Sequence, residues 1–589
     1  MIDYASLSET IGQDWYGLDP NLGAEVDRRC PPEDRQWAHA KLGELGRLAG
    51  GVIARNAEVI DANPPQLVRY DRWANEVDQV IHHPAAIESK RELWRAGYVG
   101  GFAAEEAKRA RPVPAVVRGA ASYLVSQADT GLVCSTGMTA GVAGLVASYG
   151  PPGIRDEFLA LLRADDMDHG ADGSMFLTER DGGSDLGRTV HCRATDIGDD
   201  RVLIRGEKWF CSNIDGAAIV ILARPEPAPE GPAGLGLYLV PRTGPDGAPN
   251  AISIRRLKPK LGTRSVPTGE VEFHDALGFA LRPRADRAGA NSDAGGLNRM
   301  MEMVNDSRLG VAMMGLGIAR RCFLESAVWA HHREAKGRLL VDLPLVREQL
   351  VDLLVDLEAA VALGFECVAP GAGSDTEMLR RILVPAAKVR LCRFGVHAAS
   401  SAVELHGGNG YCEDWGLARQ LRDAHCHPIW EGTEHICCLD VVRAARRDRA
   451  DHAALARVAA ALDRVRSAVG TRSGPPWLAE ALEATATAST ALAGRFERLR
   501  QLESEPSERW AGLLTEWLAS TVSAGLLLEQ AVSPGHDGLD VHKALVALRF
   551  TRLRLGPDDR RWDDRIAAVA GRALLAYEPV DEAVAAGAA

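Results

Sequence analysis

VELHGGNGY at Val403–Tyr411 and LRDAHCHPIWEGTEHICCLDVVR at Leu421–Arg443 are the most specific segments of this 589-residue sequence. The second places Trp430, Glu431, Gly432 and Thr433 in a row ahead of an apolar run. Gly432 lets the backbone turn tightly where a side chain would crowd a ligand. His425, Cys426 and His427 alternate too closely to wrap one tetrahedral metal ion, and no second Cys/His pair stands at a ligand spacing, so no metal is expected. HGGNG resembles an esterase oxyanion loop, yet no GxSxG nucleophile accompanies it.

The surrounding sequence is helical from about Gly289 onward. In LPLVREQLVDLLVDLEAAVALGF, Pro344 marks a helix start, and Val346, Leu350, Leu353, Leu354 and Leu357 make one apolar face. GLGIAR at Gly315–Arg320 imitates a dinucleotide fingerprint but follows no strand, so it reads as helix packing. Further upstream, the short runs RVLIRG, AAIVILAR, GLGLYLVPR, AISIRRL and GEVEFHD are separated by Pro, Gly and Asp and read as strands. PEPAPEGPAG, ending at Gly234, is a Pro-rich loop between two of them. Residues 1 to about 170 read as helical, with AVVRGAASYLVSQADTGLVCSTGMTAGVAGLVASYG as a buried block.

A break at TRSGPPW, Thr471–Trp477, precedes a last helical segment rich in Ala and Leu. The expected fold is α+β and multidomain: an N-terminal helical domain (1–170), a middle β domain (171–285), a helical bundle (286–450) and an additional C-terminal helical domain (451–589). The chain up to about Arg447 is expected to fold without the tail.

A net charge of −12 repels phosphate backbones and counts against a whole-surface nucleic-acid role. The basic cluster in RFTRLRLGPDDRR is interrupted by acids and reads as a solvated helix face, so DNA binding through Arg552 and Arg554 is expected to be weak. The start has neither a basic nor an apolar leader region, and no uninterrupted apolar run reaches spanning length; a cytoplasmic protein without a membrane role is the expectation. Eleven cysteines without a CxxC pair read as reduced packing residues.

Two more stretches carry chemistry. MFLTERDGGSD, Met175–Asp185, puts a Thr hydroxyl at a strand end beside a Gly-rich turn whose amides could approach a flat polar ring. GEKWFCSN, Gly206–Asn213, sets aromatic rings and a hydroxyl on adjacent strand positions, which in isolation also suits a core strand.

Taken with the Trp430–Thr433 order, these stretches resemble the acyl-CoA dehydrogenase family. NPPQLVRYDRW, RLKPKLGTRSVPTGEVEFHDA and IWEGTEHICCLDVVR are similar to its AidB-like branch, which carries an additional C-terminal helical domain. The resemblance implies an FAD-dependent enzyme that oxidises an acyl thioester, CoA-bound or carrier-protein-bound, with Glu431 as the base for the α-proton. Donors aimed at the thioester carbonyl would stabilise the developing enolate, and shielding would raise the carboxylate toward working pH.

The resemblance also implies Leu177 and Thr178 at the flavin pyrimidine edge, Ser184 beside flavin and substrate, and Phe210 and Ser212 near N5. Thr433 and His435 would approach the FAD diphosphate and adenosine. Arg333, Glu404 and Gly408 would reach FAD from a neighbouring subunit, which implies a homo-oligomer, a tetramer built from dimers. Gly432 would lie against the substrate. Arg308 either serves the acyl-binding helix or is a helix-surface Arg. The family's Phe in an R-x-x-F-G turn is Lys336 here, and its Gln is Glu404. Two other functions fit the same residues: an AidB-like flavoprotein associated with DNA and the alkylation response, its dehydrogenation vestigial, or an oxygen-using flavin monooxygenase variant.

Overall fold

The computed structural model describes residues 1–283, 295–371, 375–469, 475–532, 539–556 and 564–588. Gly289, Thr471–Gly474 of the expected break, and Pro557–Arg561 of the basic cluster lie outside the described residues. The strands are β1 Gln66–Tyr70, β2 Glu76–Ile81, β3 Gly173–Phe176, β4 Arg193–Gly198, β5 Arg201–Ser212, β6 Ala218–Pro225, β7 Gly236–Pro241, β8 Ile252–Leu257 and β9 Thr268–Ala280. The principal helices are α1 Pro20–Arg29, α2 Ala115–Ala128, α3 Thr130–Tyr149, α4 Gly296–His332, α5 Pro344–Val368 and α6 Thr376–His406, followed by α7 Glu434–Arg443, α8 Asp451–Val469, α9 Pro476–Gln501, α10 Ser504–Ala531 and α11 Val541–Arg554.

The chain packs as two compact units, one of Val52–Val113 with Ala128–Ser307, the other of Met1–Gly51, Pro114–Gln127 and Arg308–Ala589. The first is built on a closed β sheet: β6 pairs β4, β4 pairs β5, β5 pairs β9, β9 pairs β7, and β7 returns to β6. Closure removes free edges. It also explains why AAIVILAR is a continuous apolar run. Ile219, Ile221 and Ala223 of β6 face the barrel interior with Tyr238 and Phe273, while Val220 and Leu222 pack outward with Val142 and Val146 of α3. A strand covered on both faces has no polar side to alternate.

Residues 66–81, expected to be helical, form the antiparallel hairpin β1–β2 instead. Pro64 and Pro65 stop a helix ahead of it. The Asp71 carboxylate closes the turn, accepting from the Trp73 N–H at 2.8 Å and the Asn75 N–H at 2.9 Å. Leu67 and Val80 pack against the barrel core, and exposure alternates along β1, so the period is two rather than 3.6.

The second unit is helical. Pro344 begins α5 as expected, but the single apolar face does not hold: from Leu353 to Val368 every residue is buried. The helix is sandwiched, with α6 packed on it together with α10 and α11. Its buried carboxylates meet cations. Glu358 pairs with Lys543 at 2.5 Å and His542 at 2.8 Å, and Glu366 with Arg457 at 2.6 Å and Arg29 at 3.0 Å. Burial pushes the Glu358 carboxyl up, but Lys543 and His542 overcome it and hold the group at about 2.

Among the described residues, Arg549 and Arg552 of the basic cluster are buried rather than on a solvated face, while Arg554 at the helix end is exposed. Arg552, 6% exposed, forms an ion pair with Glu480 at 2.8 Å, Arg549 one with Asp564 at 2.8 Å, and Arg554 one with Asp356. The helix that carries them is buried from Lys543 to Arg552, so its cations answer acids of the surrounding segments. α3 and α10 are long and apolar enough to cross a membrane by composition, yet 61% and 78% of their apolar windows are buried within the protein, the setting of core helices.

Candidate active site

In the barrel unit, the site is organised by a buried lysine. Lys208 is 1% exposed, and its ammonium forms an ion pair with Glu179 at 2.7 Å and donates to the carbonyls of Leu222 at 2.8 Å and Leu177 at 3.2 Å. Three acceptors saturate the three N–H bonds. The Leu177–Thr178 segment is thus tied to β5 and β6, and the Trp209 N–H donates to the Thr178 carbonyl at 2.9 Å.

Immediately after Lys208 the β5–β9 register shifts, a bulge lying between Lys208 and Cys211. One extra residue turns the strand, so Lys208 and Cys211 both point inward while Phe210 and Ser212 face outward. Phe210 is 57% exposed with the Lys258 ammonium 4.7 Å from its ring centre, and Ser212 Oγ is 3.0 Å from Thr268 Oγ1. Ser184 is exposed in the Gly-rich turn. That turn folds against Thr178, since a Cβ on Gly183 would fall 2.4 Å from Thr178 Oγ1. Leu177, Thr178, Phe210 and Ser212 are therefore brought to one end of β3 and β5. An exposed aromatic ring flanked by hydroxyls fits a flat heteroaromatic group with a polar edge, as the isoalloxazine of FAD has.

In the helical unit, Glu431 and Gly432 lie in the turn that leads into α7, both with left-handed backbone, φ 55° and 98°. For a Glu this is a strained conformation that must be imposed. Arg308 of α4 donates from Nε to the Glu431 carbonyl at 3.1 Å and pairs with Asp440 of α7 at 2.7 Å. At 5% exposure it is no helix-surface Arg. Lys388 of α6 donates to the Gly432 carbonyl at 2.6 Å. A Cβ on Gly432 would sit 3.3 Å from the Ile436 side chain and 3.6 Å from Arg308 Nη2, a tight fit that a small shift could relieve, so it is the φ of 98° that favours Gly. Thr433 is the N-cap residue of α7 and His435 lies in its first turn, both exposed.

Beneath the turn, His427 is fully buried with its ring 5.4 Å from the Trp430 ring, and burial lowers it to about 4, with a backbone carbonyl raising it and Lys388 lowering it further. It stays neutral, and among the described residues no cluster of metal-ligating side chains includes it.

The third group, Arg333, Glu404 and Gly408, gathers around an aromatic cluster in the same helical unit. Trp329 stacks on His406 with centres 4.8 Å apart and meets Trp415 edge-on at 5.2 Å; the Arg333 guanidinium lies 5.9 Å from the Trp329 ring. Glu404 and Gly408 flank His406 and are exposed. Lys336 is at the tip of the small hairpin after Arg333, with φ 54°.

Lys208, Glu179 and Lys388 were missed by reading the sequence. The first two stand inside the quoted motifs, but buried charge carries no periodic signal, and Lys388 reads as an ordinary helical residue.

Residues 294–446 match the acyl-CoA dehydrogenase C-terminal domain, residues 174–276 its middle domain, and residues 7–169 the adaptive response protein AidB N-terminal domain. The chain is 32% identical to the putative acyl-CoA dehydrogenase AidB of Escherichia coli over 74% of its length and 76% of that protein's. It is 30% identical to acyl-CoA dehydrogenase family member 11 of Caenorhabditis elegans, over 73% of this chain and 70% of that one. The crystal structure of C. elegans ACDH-11 in complex with C11-CoA superposes with a TM-score of 0.83 at 25% identity, covering 96% of this chain and 97% of that chain. The chain belongs to the acyl-CoA dehydrogenase family of oxidoreductases, in its AidB-like branch.

Proposed function

We propose that the protein oxidises an acyl-CoA at Cα and Cβ with FAD, and that Glu431 is the base that removes the α-proton. The observation that carries this reading is the left-handed backbone of Glu431, a strained carboxylate whose own carbonyl is pinned by a buried arginine. Strain of this kind is kept where a side chain must be delivered to one place. Leu177 and Thr178, with Phe210, Ser212 and Ser184, would hold the flavin ring; Thr433 and His435 would approach its diphosphate and adenosine. When bound, FAD supplies the acceptor for the hydride that leaves Cβ. Gly432 leaves room beside the thioester, and Arg308 fixes the peptide from which Glu431 projects.

Arg333, Glu404 and Gly408, which gather around Trp329, His406 and Trp415, would reach a neighbouring subunit's FAD in a homotetramer, as the family resemblance implies. The pairing of Arg552 and Arg554 with acids inside the bundle weighs against a DNA role for that cluster.

The test is Glu431→Gln in the FAD-loaded enzyme, mixed anaerobically with acyl-CoAs that include an eleven-carbon chain, the length held by the C. elegans relative. FAD retention is expected to match the parent, while bleaching of the oxidised flavin slows by about 100- to 10,000-fold, the usual share of a general base. Bleaching at the parent's rate would assign the proton to another residue.

A further inference from the structure

We infer that Lys388 is a positioning residue for Glu431, clamping the Gly432 carbonyl from beneath the turn; this rests on Glu431 being the base. Lys388 is 0% exposed, and among the described residues its ammonium donates to a single acceptor, the Gly432 carbonyl at 2.6 Å. Lys208 and Lys543 are also buried, and each has a carboxylate partner, Glu179 at 2.7 Å and Glu358 at 2.5 Å. Lys388 has none among the described residues. A desolvated cation without a counter-ion is costly, and a methionine would fill the same helix position without that cost. The ammonium must therefore do something that packing does not require.

What it does is visible in the turn. Two consecutive carbonyls, those of Glu431 and Gly432, are taken by cations from two different helices, Arg308 of α4 and Lys388 of α6. Fixing both peptide planes fixes the backbone of Gly432 between them, and so holds the C-terminal side of Glu431 in place. Gly432, with the widest backbone freedom of any residue type, is the link that most needs a second tether.

The charges facing the turn within this unit divide unevenly. Arg308 is neutralised by Asp440, and Glu434 is paired with Arg393 at 2.7 Å. His427 is buried and neutral, Cys437 of α7 is a thiol pushed up by burial, and His435 is exposed. Lys388, by contrast, meets no carboxylate at ion-pair distance among the described residues and gives its hydrogen bond to the Gly432 carbonyl.

The experiment compares full-length, FAD-loaded Lys388→Met and Lys388→Arg with the parent. Backbone amide hydrogen exchange over residues 429–436 reads the clamp without needing turnover. It is expected to accelerate at least ~10-fold in Lys388→Met, as local opening becomes easier, and to return toward the parent in Lys388→Arg. Flavin bleaching by the eleven-carbon acyl-CoA is expected to slow ~10- to 100-fold with little change in half-saturation, the signature of a misplaced group.

Parental exchange in folded Lys388→Met overturns the clamp. If Lys388→Met does not fold, Lys388→Gln is read in the same way, and loss of the fold in both makes Lys388 a bundle residue and overturns the inference. If Glu431→Gln bleaches like the parent, the base assignment falls while amide exchange still reports on the clamp.

Discussion

Lys208 stands two residues from Phe210 in a segment whose aromatics and serine are its legible features, yet it is the side chain that ties Leu177 to the sheet. Replacing it with Met removes the ammonium and leaves Glu179, 3% exposed, without its cation. Breaking one side of a buried pair costs about 3–5 kcal/mol. The lower end is expected, because the N–H groups of His191 and Cys192 still donate to Glu179 at 2.6 and 3.2 Å. Lys208→Met should melt at lower temperature and lose FAD on gel filtration. Adding Glu179→Gln should recover most of the melting temperature but not the cofactor, since the Leu177 carbonyl remains untethered. Equal FAD retention in the single variant would detach Lys208 from the site.

At the scale of elements, the strands were legible wherever apolar runs were bounded by Pro, Gly and Asp, and α5 was legible from Pro344 and its leucines. The hairpin β1–β2 was not, since polar NPPQLVRYDRW offers few apolar residues to set a period and its pairing depends on the barrel beneath Leu67 and Val80. The position of Phe210 was legible only as an aromatic on a strand. Its outward direction comes from the bulge after Lys208, which leaves no mark in composition. Glu431 and its neighbours were legible because they are consecutive; the cations that hold them come from helices 123 and 44 positions away in sequence.

The turn beneath Glu431 also sets an acid limit on stability. His427 sits at about 4 in the folded protein against an ordinary 6.5, lowered by burial. The unfolded chain therefore takes up a proton first, and the stability present above pH 6.5 is lost as pH falls toward 4. The full span amounts to about 3 kcal/mol. His331 and His406 are lowered by burial as well and act in the same direction. The contribution of His427 is thus the difference between the parent and His427→Phe. The parent's unfolding midpoint in urea should fall more steeply between pH 6.5 and 4 than the variant's, and parallel curves would remove His427 from the account.

For the whole molecule, the expectation that the chain folds without its tail meets the burial of α5. Cutting after Arg447 would take away Arg457 from Glu366, Lys543 and His542 from Glu358, and Arg554 from Asp356. Those carboxylates are not the main difficulty. Without α10 and α11 over them they would meet water, and a hydrated charge carries little penalty. The apolar residues between them have no such escape. α5 is buried on every side from Leu353 to Val368, and one of those sides is covered by α10, itself buried from Leu518 to Leu528. Uncovering such a helix costs about 25 cal/mol for each Å² of apolar surface returned to water, against a total stability of about 5–15 kcal/mol. The truncated protein is therefore expected to aggregate on expression and to yield no soluble, FAD-bearing species. Separately purified 448–589 added during refolding should restore flavin binding, because the surface that it covers is specific. A soluble truncated protein that binds FAD with the parent's stoichiometry would show that α5 can close over its own exposed side, and that the C-terminal helices are an addition to the catalytic bundle rather than half of its core.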